Sequence, residues 1–487
     1  MTITRDRHRA TIVLLDGARP DVFNHLVAAG DMPHVARHVL EPGGGAVPAT
    51  TVFPSVTGIA YLPFLTGCFP GTCDVPGIRW VDVGQYAGHW IRDRRHVRNY
   101  CGVQSPLLNR DIRPEIRSLF DLEPNALAIC TPFVRGLRTG AARLNVLRGL
   151  LGGQAHYTGW YEVMDRAVAS AFDRSVRRRP RFTLVVFPAI DGICHWTDPW
   201  HPRVLEAYRE FDRAFGRIIR RADLSDEHLI VVVSDHGAAP VGHHCDLSLA
   251  LEAFGVRTLR HPVLWRRAPG AAVMVSGNSA AHVYVAPGEP RTSRWPLAAI
   301  ELGDVPGVPQ GLVSHLAGLD GVALVAGVAG DHVVVVSRHG RARLSSTDGL
   351  ILYETETADV LHVGHSRREL SAEEWLHGTI SGPYPDGPVQ LLQIFRSARA
   401  GDLVVAAAPG HDLRLEWEFP EHRSGHGSLT ADHMRCLVAF NRPYAGPMRT
   451  VDVFAVVANY LGHRLPDGID GVLRSDGRAA AGAAECV

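Results

Sequence analysis

Three stretches of the chain share one pattern, an apolar run of strand length followed directly by an aspartate. The runs are Ala10–Leu15, Phe182–Ile190 and His228–Ser234, and the residues that follow them are Asp16, Asp191 and Asp235. Runs of Val, Ile and Leu that alternate with helix-like segments are typical of a parallel sheet covered by helices on both faces. The carboxyl ends of parallel strands lie at one edge, where ligands bind. The pattern predicts an α/β fold with three carboxylates at one sheet edge.

The remaining runs divide the chain into segments. We expect the first part of the core in residues 1–250, an inserted accessory region in 251–400, the closing part of the core in 401–470 and a flexible tail in 471–487. One apolar face at helical spacing predicts a helix over Arg203–Arg221. Other predicted elements are a short strand at Ala126–Ile129, later strands at His282–Ala286, His332–Ser337, Leu350–Tyr353 and Asp402–Ala407, and a closing helix at Val451–Leu461.

Composition excludes several classes of function. The chain has no lysine, so all 50 basic residues are arginine, against 50 acidic residues. Mechanisms that need an ammonium group, such as those of P-loop or Schiff-base enzymes, are therefore excluded. The balanced charge indicates neither a nucleic-acid nor a membrane partner. Eight scattered cysteines without a CxxC pair, and no signal-peptide pattern, predict a reduced, cytoplasmic protein.

Histidines lie close to the aspartates in sequence. His195 follows Asp191 by four residues, His236 follows Asp235 directly, and His426 stands between two glycines. Carboxylates and imidazoles together suit Zn²⁺, with Mn²⁺ or Fe as alternatives. Six such ligands suffice for two metal ions, a common arrangement for displacement at phosphorus. Three separate helix N-caps also explain the aspartates, but not the neighbouring histidines. His243, His244 and His422 lie nearby and are interpreted as loop or supporting residues.

A nucleophile is expected in the segment Phe53–Gly67, which has the pattern of a loop that enters a helix at Thr57. A hydroxyl at that point lies at the positive end of the helix dipole, where a phosphoryl group also binds. A simple N-cap role for Thr57 fits the pattern equally well. Thr50, Thr51 and Ser55 are alternative nucleophiles.

The order of these motifs, LLDGARPD, FPSVT, DGICH, SDHG and GHG, resembles that of the alkaline phosphatase superfamily. Within it, the type I phosphodiesterase / nucleotide pyrophosphatase branch is the most similar. That family has a threonine nucleophile nine residues before the threonine of a Thr-Gly pair, and Thr57 and Thr66 have this spacing.

The resemblance implies a residue-by-residue assignment of the site. One metal ion would be held by Asp191, His195 and His426, and the other by Asp16, Asp235 and His236 with the Thr57 hydroxyl. The implied protein is a two-metal hydrolase that cleaves a phosphodiester or pyrophosphate bond in a small phosphate ester through a threonine nucleophile, on an alkaline-phosphatase-like core.

The chain departs from the family pattern after the Thr-Gly pair. The usual His-Gly pair is replaced by Pro70–Asp74, and the place of an asparagine that helps to hold the phosphoryl group falls on Ile78. Arg79, beside it, is a candidate phosphate donor. A phosphomonoesterase or phosphonate hydrolase on the same core is the alternative enzyme. A non-catalytic metal-binding protein is the alternative of another class, favoured if Thr57 lies far from the metal ligands. A serine hydrolase is excluded because no GxSxG elbow occurs.

Overall fold

Two β-sheets organise the protein. The computed structural model describes residues 8–88, 90–222, 227–260, 268–289, 291–414 and 420–475. The central sheet has the strand order Val438–Phe440, His228–Val233, Arg9–Leu15, Phe182–Phe187, Ala126–Ile129, Ala142–Arg143. Only the Val438–Phe440 strand pairs antiparallel to its neighbour. The expectation of an α/β protein with a mostly parallel core sheet is confirmed.

Alternate residues of the central sheet pack into two different apolar clusters. Ile12 and Leu14 join one cluster with Phe454 of the helix Thr450–Tyr460, whereas Val13 joins the other with Phe211. The period-two alternation of a strand separates its side chains in this way. Because the residues on both faces of the sheet are apolar, the strand sequences are continuous apolar runs rather than alternating patterns.

The second sheet has nine strands and is mostly antiparallel. Its order is Thr258–Arg260, Ala271–Ser276, Ala280–Val285, Leu403–Ala407, Val322–Ala329, His332–Ser337, Gly340–Thr347, Leu350–Thr355, Arg367–Ser371. This sheet is drawn from the expected accessory region and from one strand of the segment that follows. The division into segments stays a prediction. Within the expected tail, Arg474 forms ion pairs with Glu373 and Asp452, and residues 476–487 lie outside the described residues.

Helices of eight or more residues connect the strands. They are Pro20–Ala28, Asn145–Thr158, Glu162–Val176, Ala189–Trp196, Pro202–Ala222, Ala372–Thr379, Gly387–Ile394 and Thr450–Tyr460. Shorter α-helices are Pro33–Val35, Glu41–Gly43, Leu62–Thr66, Pro70–Cys73, Trp90–Asp93, Leu108–Asp111, Leu119–Leu122, Leu247–Ala253, Leu297–Leu302, Leu312–Gly318 and Ala431–Met434. A π-helix spans Ala36–Leu40, and 3₁₀ helices span Arg94–His96 and Gly102–Leu107. Two-residue strands occur at Ala49–Thr50, Ala239–Pro240, His243–His244, His411–Asp412, Ser424–Gly425, Arg435–Cys436 and Met448–Arg449, and three-residue strands at Arg79–Val81 and Val97–Asn99.

One predicted strand ends earlier than expected. The run Phe182–Ile190 is a strand only to Phe187, and Asp191 lies in the first turn of the helix Ala189–Trp196. Pro188 has no N–H to donate to a sheet ladder, so the strand stops before it. Asp191 still reaches the sheet edge, because its N–H donates to the Asp16 carbonyl at 3.1 Å.

Two further observations concern the whole chain. Among the residues that the structure describes, no helix has the length and apolar character needed to cross a bilayer. The seven cysteines in the described ranges are all free thiols, as expected for a chain without a disulfide framework.

His282 is a buried neutral imidazole that links two segments far apart in the sequence. Its Nε2 lies 2.9 Å from the Pro76 carbonyl, and its Nδ1 accepts the Gly401 N–H at 3.1 Å. A proton on Nδ1 would face the Gly401 N–H, so that two donors would meet with no acceptor between them. Burial accordingly lowers the pKa of His282 to about 4.

We predict that His282 makes the fold sensitive to acid. In the unfolded chain this group titrates near its ordinary pKa of 6.5, so below that pH the unfolded state binds more protons and stability falls until the pH reaches about 4. Between pH 7.5 and 5 the contribution is about 2 kcal/mol. Urea unfolding at the two pH values should show a smaller pH difference in His282→Gln than in the wild type. An identical difference in both proteins would contradict the assignment.

Candidate active site

The three predicted carboxylates meet at the carboxyl edge of the central sheet. The Gly17 N–H, next to Asp16, donates to Asp235 Oδ1 at 3.1 Å, and Asp191 is tied to Asp16 through its backbone. The exposed fractions of Asp16, Asp191 and Asp235 are 4%, 9% and 0%. Three carboxylates are therefore held together away from bulk water.

Backbone carbonyls orient the three predicted histidine ligands. The Nδ1 atoms of His195, His236 and His426 lie 2.8, 2.9 and 3.0 Å from carbonyl oxygens of Ser424, Gly237 and Ser55. A carbonyl only accepts hydrogen bonds, so Nδ1 carries a proton in each ring and Nε2 is the nitrogen available to a metal ion. Such an Nδ1 contact is the usual support of a metal-binding histidine.

His426 is held by strand-like contacts from three distant segments. Ser424–Gly425 pairs with Ala239–Pro240, Gly427 bridges to Ser55, and His426 itself bridges to Asn278, in the turn between two strands of the second sheet. A Cβ at Gly277 would lie 2.8 Å from the His426 carbonyl, so that glycine permits the close approach.

Two groups of ligand atoms are close enough to share metal ions. In the first, ligand atoms of Asp16, Asp235 and His236 lie within 4.8 Å of one another, with His236 Nε2 3.2 Å from Asp235 Oδ2. This is the set that the sequence predicts for one metal ion.

The second group contains Asp191, His426 and again His236, also within 4.8 Å. His195, which the sequence predicts in this place, has its Nε2 3.2 Å from Asp191 Oδ2 and its ring 5.1 Å from that of His426. The rings of His236 and His426 stack at 3.8 Å. His236 therefore lies between the two groups, which are immediate neighbours.

Two buried oxygens indicate that these residues fit divalent cations. Asp191 Oδ1 and Asp235 Oδ2 accept no hydrogen bond from the described part of the chain. Buried acceptors without a partner are costly in the absence of a cation. With the Nε2 lone pairs beside them, they form the oxygen and nitrogen donor set that Zn²⁺ binds.

The pKa shifts within the site also indicate that it needs additional positive charge. Burial raises the pKa of Asp16 well above its ordinary value, and the charges of Asp235 and Asp191 raise it further. Burial likewise raises the pKa of Asp235 to about 8. Burial also disfavours a charged His195, but the Asp191 carboxylate outweighs it and the pKa rises to about 9. Without metal ions, protons replace the missing positive charge.

Thr57 is the candidate nucleophile that touches this cluster. Its Oγ1 lies 3.2 Å from Asp16 Oδ1 and 3.0 Å from His236 Nε2. The other candidate hydroxyls face elsewhere. Those of Thr50 and Ser55 donate to the carbonyls of Met434 and Ser428, and that of Thr51 is buried with no hydrogen-bond partner among the described residues.

The expected helix at Thr57 is wrong. Residues 57–61 form a turn, and the helix begins at Leu62 and ends at Thr66. Gly58 has φ +88°, a left-handed conformation that a continuous right-handed helix cannot contain. Thr57 is therefore placed by a turn, and a helix dipole does not act on it.

Arg79 lies on the strand Arg79–Val81, and its guanidinium forms hydrogen bonds to neighbouring segments of the protein. Nη1 donates to the Val275 carbonyl at 2.9 Å and Nε to Asn99 Oδ1 at 3.3 Å. No contact that the structure gives for Arg79 reaches the carboxylate–histidine cluster, so its role in phosphate binding stays a prediction.

Tyr61 and Asn278 lie beside the cluster, and the sequence assigns neither a role. The Tyr61 hydroxyl donates to Asp16 Oδ2 at 2.5 Å. Asn278 Nδ2 lies 3.2 Å from Nδ1 of His422, the expected loop or supporting residue, whose ring stacks on His195 at 4.5 Å. For Tyr61, the only sequence signal is its position four residues after Thr57, which becomes informative once the turn is known.

The sequence profile of type I phosphodiesterase / nucleotide pyrophosphatase matches residues 10–295, more than half of the chain. The chain belongs to this family. The resemblance to the alkaline phosphatase superfamily is thereby confirmed, and so is the expectation of a phosphodiesterase-type hydrolase. The family depends on a pair of divalent metal ions, which agrees with the two ligand groups described above.

Solved structures of related fold cover almost the whole chain. Phosphonoacetate hydrolase from Sinorhizobium meliloti 1021 has a TM-score of 0.57 and 16% identity, over 93% of this chain and 96% of that one. Murine ectonucleotide pyrophosphatase / phosphodiesterase 5 has a TM-score of 0.53 and 12% identity, over 97% and 98%. No curated protein sequence matches significantly. At these identities the structures establish the shared fold.

We predict that Gly17→Ala disrupts the site. Gly17 has φ +68°, and a Cβ there would lie 2.7 Å from Asp191 Cβ, so the substitution must separate Asp16 from Asp191. Zn²⁺ affinity, measured by calorimetry on metal-free protein, should fall at least about 10-fold.

Gly30→Ala is the matched control. Gly30 has φ +79° but nothing within 4 Å of its Cβ position, so it carries the backbone strain without the collision. It should lose about 1 kcal/mol of stability and keep its Zn²⁺ affinity. Equal Zn²⁺ affinity in both variants would show that the Gly17–Asp191 approach is not needed.

Proposed function

We propose that the chain is a two-metal hydrolase of small phosphate esters, cleaving a phosphodiester or pyrophosphate bond with Thr57 as nucleophile. The observation that carries this proposal is the position of Thr57 Oγ1, within 3.2 Å of both Asp16 and His236. A remote Thr57 would favour the alternative of a non-catalytic metal-binding protein, and this distance argues against it.

The proposed ligands are those that the resemblance implies. Asp16, Asp235 and His236 would hold one ion, and Asp191, His195 and His426 the other, with Zn²⁺ favoured by the mixed donor set. When bound, such ions supply positive charge that stabilises the attacking and leaving oxygens.

The protein residues perform the remaining steps. The Thr57 hydroxyl gives up its proton toward Asp16 Oδ1, to which it donates at 3.2 Å, and Oγ1 forms a bond to phosphorus as the bond to the leaving oxygen breaks and that oxygen takes up a proton. Water then attacks the phosphothreonine, releases the phosphoryl group and returns a proton to Oγ1. A structure of the murine relative, an inactive threonine-to-alanine variant in complex with AMP, supports a threonine in this role.

Phosphonates are the second candidate substrates. The Ile78 position lacks the asparagine of the family pattern, and the described donors of Arg79 are bound to Asn99 and Val275. An isoleucine side chain cannot donate the extra contact to a phosphoryl oxygen that the family pattern includes, and the candidate replacement, Arg79, has its described contacts elsewhere. Phosphonoacetate hydrolase, which shares the fold, was solved in complex with phosphonoacetate.

We predict that Thr57→Ala lowers kcat by at least about 1,000-fold, because the attacking oxygen is lost. Thr57→Ser should keep partial activity, since only a methyl group is removed. Acid-quenched wild-type reactions should contain a phosphorylated peptide that includes Thr57, detectable by mass spectrometry.

Thr51→Val is the control for this experiment. Its hydroxyl is buried but makes no hydrogen bond among the described residues, so turnover should be unchanged. Wild-type turnover in Thr57→Ala, or full turnover after prolonged incubation with excess chelator, would contradict the mechanism.

Substrate class is tested by a panel of aryl phosphodiesters, phosphomonoesters and phosphonates, assayed with Zn²⁺ and Mn²⁺. We expect kcat/KM to be highest for a diester. A phosphonate or monoester as the best substrate would support the alternative enzyme, and no turnover with any of them would contradict the hydrolase proposal.

A further inference from the structure

The turn that carries Thr57 presents a second hydroxyl to the same carboxylate. Ala60 N–H donates to the Val56 carbonyl at 2.9 Å, and this turn sets Thr57 and Tyr61 on one side of the chain. Thr57 Oγ1 lies at Asp16 Oδ1, and the Tyr61 hydroxyl donates to Asp16 Oδ2 at 2.5 Å. Each oxygen of Asp16 therefore has its own hydroxyl partner.

The two oxygens of Asp16 face different surroundings. Oδ1 lies 3.7 Å from His236 Nε2 as well as near Thr57, on the side of the candidate metal ligands. Oδ2 accepts from the Tyr61 hydroxyl, and Tyr61, 2% exposed, belongs to the apolar cluster that contains Leu62 and Leu65. A hydrogen bond from a fixed, buried phenol to one oxygen restrains rotation of the carboxylate plane and so fixes the direction in which the other oxygen faces.

The phenol is suited to this task because it stays neutral. Burial raises the pKa of Tyr61 well above its ordinary value, and the charges of Asp16 and Asp235 add to the effect. A neutral hydroxyl donates its proton to a carboxylate, and a hydrogen bond to a charged acceptor is among the stronger ones. Its strength is increased where water is absent.

We infer that Tyr61 is a positioning residue for the metal site: its hydroxyl holds one oxygen of Asp16 and thereby fixes the direction in which the other oxygen meets the metal ion and Thr57. This inference rests on the proposed function, since it assumes that Asp16 is a metal ligand. Outer partners of this kind typically change metal affinity or activity 10- to 100-fold when removed.

Tyr61→Phe tests the inference, because it removes one oxygen and leaves the ring in the core. Zn²⁺ affinity of the metal-free variant, measured by calorimetry, should be about 10- to 100-fold weaker than that of the wild type. The rise in melting temperature on adding Zn²⁺ should shrink accordingly, a measurement that still works if the variant is less stable. In turnover assays kcat should fall while KM changes little, since Tyr61 is too buried to touch substrate.

Tyr86→Phe is the matched control. Tyr86 is 1% exposed, and its hydroxyl is buried with no hydrogen-bond partner in the described ranges. It should bind Zn²⁺ and turn over as the wild type does. Wild-type Zn²⁺ affinity and kcat in Tyr61→Phe would overturn the inference and leave the proposed function standing. A wild-type protein that binds no divalent metal would instead overturn both.

Discussion

Repulsion among three buried carboxylates is the constraint on which the site depends. A parallel sheet brings Asp16, Asp191 and Asp235 to one edge, where little water remains to screen their charges. The ion-pair partners of these carboxylates are histidines. Among the described residues no arginine pairs with any of the three, and the chain has no lysine. Only protons or cations can then supply the missing positive charge, and the fold is arranged for cations.

The same constraint explains why the site is assembled from such distant segments. A metal pair needs several rigid ligands, and each histidine is held at Nδ1 by a backbone carbonyl, which for His195 and His426 belongs to a distant part of the chain. His195 relies on Ser424 and His426 on Ser55, so the closing segment and the Thr57 loop are locked to the first part of the core. The second sheet contributes through the contact of Asn278 with His426. The accessory strands therefore help to place a residue of the proposed metal site.

The sequence could predict the parts of the site that follow strand ends and short motifs. Asp16 and Asp235 follow uninterrupted apolar strands, and the order of five motifs identified His426 more than 180 residues downstream. The contact between Tyr61 and Asp16 could not be predicted, because it depends on a turn created by the positive φ of Gly58. The partners of Arg79 depend on how the second sheet packs, which no local pattern encodes.

Without a helix dipole at Thr57, activation of this proposed nucleophile must come from its immediate neighbours. The helix that follows is five residues long and begins at Leu62, too short and too remote to stabilise an alkoxide at Oγ1. What remains within reach is one oxygen of Asp16 and one nitrogen of His236, both members of the same metal group. The proposed nucleophile and the proposed metal ligands are therefore in direct contact, and any force that turns Asp16 acts on both. The proposed role of Tyr61 follows from this contact: by fixing one oxygen of Asp16, the buried phenol fixes the direction of the other.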